Sequence, residues 1–143
     1  MSEAGVEARR IAIAALVRIE RDDAYANLAL PAALGASSLD DRDRRFVTEL
    51  VYGATRMRRA LDFVADRFIE RPDVDPSTRA ALRIGVHQLR FLATPPHAAV
   101  DSTVAATPKR ARGFVNAVLR KVAAEVESGR DDIWPTEAIR LSY

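Results

Sequence analysis

Cationic side chains are the residues in this sequence whose types and spacing point most clearly to chemistry. Between Arg79 and Lys121 the chain carries Arg79, Arg83, Arg90, Lys109, Arg110, Arg112, Arg120 and Lys121, eight of its 22 basic residues, against one of its 20 acids, Asp101. That stretch is formally +7 in a chain that is +2 as a whole, which leaves −5 for the remainder. A local cationic zone in an otherwise mildly acidic protein is the electrostatic footprint of an anionic partner, and guanidinium groups grip phosphate in a bidentate way. The basic residues are 20 Arg and two Lys, a bias that fits phosphate recognition and fits a GC-rich genome equally well. Arg79, Arg83, His87 and Arg90 follow one another at steps of four, four and three, which puts them on one face of a helix with no acid of its own. Lys109, Arg110 and Arg112 lead into a helix start, whose free backbone N–H groups also attract phosphate, and Arg120 and Lys121 extend the charge along that helix. Each cluster can also be read as a solvated face.

Catalysis is poorly served. The absence of cysteine excludes disulfides, thiolate metal sites and cysteine nucleophiles. The two histidines, His87 and His97, are too few for a metal cage, and the six glycines are too scattered to cradle a cofactor's phosphates. His97, between Pro96 and Ala98, is expected to cap a helix or pack on the Pro-Pro turn, with ligand contact as the alternative. Asn116 stands in an apolar helical pattern, where a buried amide must be hydrogen-bonded. It is expected to tie its helix to a neighbouring backbone rather than to reach a ligand.

The elements that must position these groups are helices. Hydrophobic residues reach 48% while aromatics are 6% and Gly plus Pro number 13, and 143 residues suffice for one domain with one core. Ala8, Ile11, Ala12, Ala15, Leu16 and Ile19 form the inner stripe of a helix from about Val6 to Glu20, with Arg9, Arg10 and Arg18 off it. A shorter helix from Tyr25 to Leu34 turns Leu28, Ala32 and Ala33 inward, with Pro31 implying a kink or early end. Ser38 and Asp41 resemble a capping box ahead of a long helix through Phe46, Val47, Leu50, Val51, Ala54, Met57, Leu61, Val64 and Phe68, divisible at Gly53 or Thr55 and ended by Arg71-Pro72. Asp75-Pro76 opens a helix to about Ala93, and Pro95-Pro96 separates it from a short one over 97–106. A basic loop over 107–113 leads to a last helix, 112–128, burying Phe114, Val115, Val118, Leu119 and Val122 and stopped by Gly129. The residues beyond, with Trp134, read as a linker outside the core. No apolar run approaches the roughly 18 residues that span a bilayer, so a cytoplasmic protein is expected.

The phrases Phe114-Val115-Asn116-Ala117-Val118-Leu119-Arg120, Pro96-His97-Ala98-Ala99-Val100 and Phe46 to Gly53 resemble the NusB fold, an all-α RNA-binding bundle, over residues 6 to 126. The resemblance implies a single domain of six to seven helices, with Arg9 and Arg10 standing where the family's first helix contributes to RNA binding. The ending Val118-Leu119-Arg120, the Pro-His-Ala-Ala-Val turn and Ala138 to Tyr143 are similar to the N-terminal domain of RsmB (Sun, Fmu) proteins, S-adenosylmethionine-dependent enzymes that make 5-methylcytosine in 16S rRNA. On that resemblance residues 1–128 are an RNA-binding domain and 129–143 a linker toward an absent methyltransferase domain, which would be this domain's partner and would hold the catalytic cysteines and S-adenosylmethionine. No cofactor and no catalytic residue is then expected here. RNA, through 16S rRNA, is the partner for Arg9, Arg10, Arg79, Arg83, Arg90, Lys109, Arg110, Arg112, Arg120 and Lys121. A free-standing antitermination factor and a protein-interaction bundle packed on the catalytic domain are the competing readings.

Overall fold

Helix starts in this chain are set by small polar caps and proline. Ser2 accepts a hydrogen bond from the Gly5 N–H and opens α1 (Glu3–Arg21); Asp75 accepts from Thr78 N–H ahead of Pro76 and opens α5 (Pro76–Phe91). The computed structural model describes residues 2–71, 73–129 and Trp134. Among them the chain forms seven α-helices, one 3₁₀ turn and no strand: α1, α2 (Ala26–Gly35), α3 (Asp41–Arg56), α4 (Arg58–Asp66), α5, α6 (Pro96–Ala106), the turn Lys109–Ala111, and α7 (Arg112–Glu127).

The helix from Asp75-Pro76 is the axle. Every residue of α5 from Thr78 to Leu89 is buried, because α1, α3, α4, α6 and α7 all pack against it. Such enclosure needs close approach at some crossings, and two glycines supply it. A side chain at Gly53 of α3 would run into the His87 ring, and one at Gly85 of α5 would run into Leu119 of α7. Gly53 therefore serves α3 as a seat for His87 and not as its break.

Several elements differ from the sequence expectation, each for a local reason. The long helix does break, at Met57, whose φ of −102° and ψ of 18° end α3; it stops at Asp66 rather than Arg71, with Arg67, Phe68 and Ile69 closing as i→i+3 turns. Its cap is Asp40, which accepts from Asp43 N–H, and not Ser38. Helix α2 runs through Pro31, and its buried face is Ala29, Leu30 and Leu34, so that Leu28 is 66% exposed and Ala32 is also outside. Two leucines four residues apart fix that face more strongly than alanines do. In α7 Phe114 points outward, because Val115, Val118, Leu119 and Val122 already fill the seam against α5. The linker expected over 129–143 lies largely outside the described residues. Trp134, which is described, is half-buried and packs against the core.

His87 is the buried titratable group of the axle. Its ring is 2% exposed, its Nε2 lies 3.4 Å from Glu49 Oε1, and its Nδ1 has no hydrogen-bond partner among the described residues. Burial holds its pKa below the ordinary 6.5; Glu49 pulls the other way and Arg56 adds to the lowering. A base with a depressed native pKa takes up a proton more readily when unfolded, so its contribution to stability is lost as pH falls below the unfolded value.

Two outcomes follow from this packing. Gly85→Ala is expected to destabilise the fold by about 1–3 kcal/mol, read as a lower urea midpoint at unchanged slope, because Leu119 is fully buried and cannot swing aside. Unfolding free energy of the native chain should decline as pH drops from about 7 to about 5.5, and His87→Gln should flatten that decline even if it lowers stability at neutral pH. An unchanged slope in the variant would reassign the effect to other groups.

Candidate nucleic-acid interface

The α5 stripe does not face solvent. Arg79 and Arg83 are 8% and 9% exposed and His87 is buried beside them, leaving only Arg90 outside. The expectation of a free cationic face is corrected by acids from other helices. Asp62 of α4 accepts from Arg83 through both oxygens at 2.8 Å, Glu20 of α1 lies 3.3 Å from Arg83, and Asp66 of α4 takes Arg79 at 2.7 Å with Asp62 at 3.7 Å. Burial works against the charge on Arg83, but Asp62 and then Glu20 outweigh it and hold the guanidinium above its ordinary pKa. These cations brace the bundle.

Arg9 is also internal. It sits 6% exposed on the buried face of α1, where its Nε and Nη2 donate to Gln88 Oε1 at 3.0 and 2.8 Å, its Nη1 donates to Gly5 O, and its guanidinium lies 4.8 Å from the Phe46 ring centre. Burial lowers its pKa, with Asp43 opposing. The sequence placed Arg9 beside Arg10 off the stripe; only Arg10 is there, 2.6 Å from Glu7.

The second cationic group stays on the surface, around the 3₁₀ turn and α7. Lys109 and Arg110 of the turn are exposed, and Arg110 reaches Asp75 at 3.1 Å. Arg112 is half-buried and spends its donors on the carbonyls of Thr107 and Ala105, where α6 ends. Arg120 donates to Asp101 at 3.1 Å and to Asn116 Oδ1 at 3.0 Å, and Lys121 is exposed. Asn116 thus holds a side chain one turn along its own helix; the expected tie to a neighbouring backbone is not what it makes. His97 is exposed and caps nothing: α6 starts at Pro96 without a side-chain cap, and His97 lines a shallow groove with Pro96, Val100 and Arg120.

Phe114, Ala117 and Lys121 are exposed at steps of three and four along α7, with Arg120 adjacent, so one outward face presents an aromatic ring and two cations. Sequence reading missed Phe114 because an aromatic inside an apolar run reads as core. Its place one residue off the Val115-Val118-Val122 seam was the available signal. A second concavity, about 840 Å³, lies between α1 and the start of α3, but there Arg10 and Arg112 are matched by Glu3, Glu7, Asp40 and Asp43, so it offers an anion no net attraction.

A double-mutant cycle separates the two classes of cation. Arg83→Met with Asp62→Leu is expected to return a coupling of about 1–3 kcal/mol in unfolding free energy, whereas Arg110→Ala with Asp75→Ala should return less than about 1 kcal/mol. Equal couplings would contradict the assignment of Arg83 to the interior.

The NusB family matches residues 6–124. Among solved structures, the fold is similar to that of T. maritima NusB, at TM-score 0.75 and 20% identity over 87% of this chain and 94% of that one, and to a chain in the crystal structure of antitermination factors NusB and NusE in complex with dsRNA, at TM-score 0.76 and 22% identity over 87% of this chain and 98% of that one. Curated relatives include a protein of Mycobacterium tuberculosis named as a methyltransferase, 41% identical over 131 residues, and the ribosomal RNA small subunit methyltransferase B of Thermus thermophilus, 39% identical over 120. The matches take in 87% and 80% of this chain but only 28% and 29% of those proteins, so the chain spans less than a third of their length. No helix among the described residues is long and apolar enough to cross a membrane. The helix order, the buried axle and the match over 6–124 lead to one conclusion: this chain belongs to the NusB family.

Proposed function

We propose that this chain is an RNA-binding accessory domain of an S-adenosylmethionine-dependent 16S rRNA cytosine-C5 methyltransferase, lying N-terminal to the catalytic part. The observation that carries the reading is the outward face of α7 with the turn before it, where Lys109, Arg110, Arg120, Lys121 and Phe114 are exposed together while the buried cations are committed to internal partners. Phosphate contacts of this kind set affinity and orientation rather than sequence choice, and one exposed ring adds a stacking surface for an unpaired base. The relatives named as methyltransferases support the enzyme context.

Gly53 and Gly85, the glycines at which backbone comes closest to another element, are filled by His87 and Leu119 and leave no cradle for a ligand. In this reading the methyl-transfer chemistry belongs to the catalytic part, and the role of the bundle is to hold RNA in a cytoplasmic enzyme. A free-standing antitermination factor is the weaker reading, because identity to the named methyltransferases reaches 41% against 22% for the NusB structure.

Fluorescence anisotropy with a labelled 16S rRNA hairpin and a scrambled control, across a salt series, tests this. Affinity should fall with log salt at a slope of about −0.7 to −0.9 per phosphate contacted, and Lys109→Ala with Lys121→Ala should weaken binding and flatten that slope by about one to two. Phe114→Ala should weaken binding with the slope intact. No binding at low salt would reject the RNA reading and favour a protein-interaction bundle.

A further inference from the structure

Trp134 is the only tryptophan in the chain, and it lies seven residues past the end of α7. Its ring centre is 5.6 Å from that of Phe91, at 51°, and the Arg90 guanidinium stands 5.1 Å from the Trp134 ring centre and 5.4 Å from that of Phe91. Phe91 is in turn 5.4 Å from His87, the ring seated on Gly53 of α3. A continuous stack therefore runs from the α3–α5 crossing out to the surface and ends on a residue that belongs to neither helix. From this stack we propose that Arg90 and Phe91, at the C-terminal end of α5, form a docking surface for this chain's own Trp134, which acts as a clasp.

Three observations favour that occupant. Ser128 caps α7, and Gly129 follows at φ 76°, a left-handed conformation that ends the helix and redirects the chain. The end of α7 lies beside the start of α6, since Glu127, Pro96 and His97 line one groove, and Pro96 is five residues from Phe91, so the end of α7 and the Phe91 ring belong to the same end of the bundle. Phe91 remains 43% exposed even with Trp134 against it, so it is a surface ring used for docking and not a core residue that the tail happens to brush. Arg90, which the sequence grouped with RNA contacts, is the cation of this clasp. Its planar guanidinium faces two rings and suits stacking as a lysine would not. This inference is independent of whether the bundle binds RNA.

Tryptophan fluorescence of the 143-residue chain reads the clasp without a label. Native emission should be blue-shifted from that of the same chain in urea, with acrylamide quenching reduced. Phe91→Ala and, separately, Arg90→Gln should move both readings toward the unfolded values while far-UV circular dichroism stays native. Should Phe91→Ala lose helix content, Arg90→Gln decides, because its side chain is outside the core. Native emission and quenching equal to those of the unfolded chain, or folded variants that leave both unchanged, would overturn the proposal.

Discussion

A guanidinium with no acid at bonding distance among the described residues, enclosed in a helical bundle, is the constraint around which the rest of this fold is arranged. Arg9 enters the interior from α1, and its charge must be met by something other than water. Gln88 of α5 meets it with one carbonyl oxygen that accepts two N–H groups, then passes its own amide protons to Ile84 O and Thr103 Oγ1 at 2.9 Å each. The Thr107 hydroxyl adds a bond to Thr103 O near the end of α6. Three helices are thereby locked in one register. Slipping any of them by a residue would strand a buried donor, and a stranded polar group costs on the order of 1–3 kcal/mol, more when it is charged. Apolar packing alone would tolerate such slips far better, since neighbouring alanine- and valine-rich faces are nearly interchangeable.

The same helix faces a second demand on its other side. Arg79 and Arg83 are four residues apart on α5, and Asp62 and Asp66 are four residues apart on α4. The pairings run in opposite senses, Arg79 with Asp66 and Arg83 with Asp62, as they must when two helices pack antiparallel. Matched spacing lets one rigid rotation satisfy both pairs, and Glu20 from α1 closes the set on Arg83. A ladder of this kind selects an arrangement more than it adds net stability, because desolvation of both partners offsets much of the attraction.

How much of this was legible follows from the range of the interactions. Helix starts at Asp75-Pro76 and Pro96, the stop at Gly129 and the α7 seam apart from Phe114 depend on residues within one turn, and reading the sequence placed them within a residue or two. The Met57 break and the outward turn of Leu28 depend on how a helix meets its neighbours, which a single periodicity does not encode; the Asp40 cap is local, and was missed because Ser38 with Asp41 offered a competing capping pattern. Arg9 is the sharpest case: its spacing allows a place on the stripe, but its burial depends on Gln88, 79 residues away. In the candidate site the exposed cations Lys109, Arg110, Arg120 and Lys121 were found by charge alone. Arg79 and Arg83 were misplaced because their neutralising acids lie on α4 and α1, where no inspection of α5 could find them.

That misplacement changes what the charge means. Formal charge along a segment counts every cation equally, yet a partner in solution meets only the field that internal ion pairs leave uncancelled. Arg79 and Arg83 face Asp62, Asp66 and Glu20 across a few ångströms, so at a distance they act as a near-neutral cluster. Arg110 and Arg120 also have acids, but those pairs are exposed, screened by water and exchangeable for a phosphate at little cost. Lys109 and Lys121 make no ion pair among the described residues. The positive character suggested by the sequence thus survives folding at the surface of α7 and the turn before it rather than on the axle, and on α7 Lys121 and the Phe114 ring share one outward face.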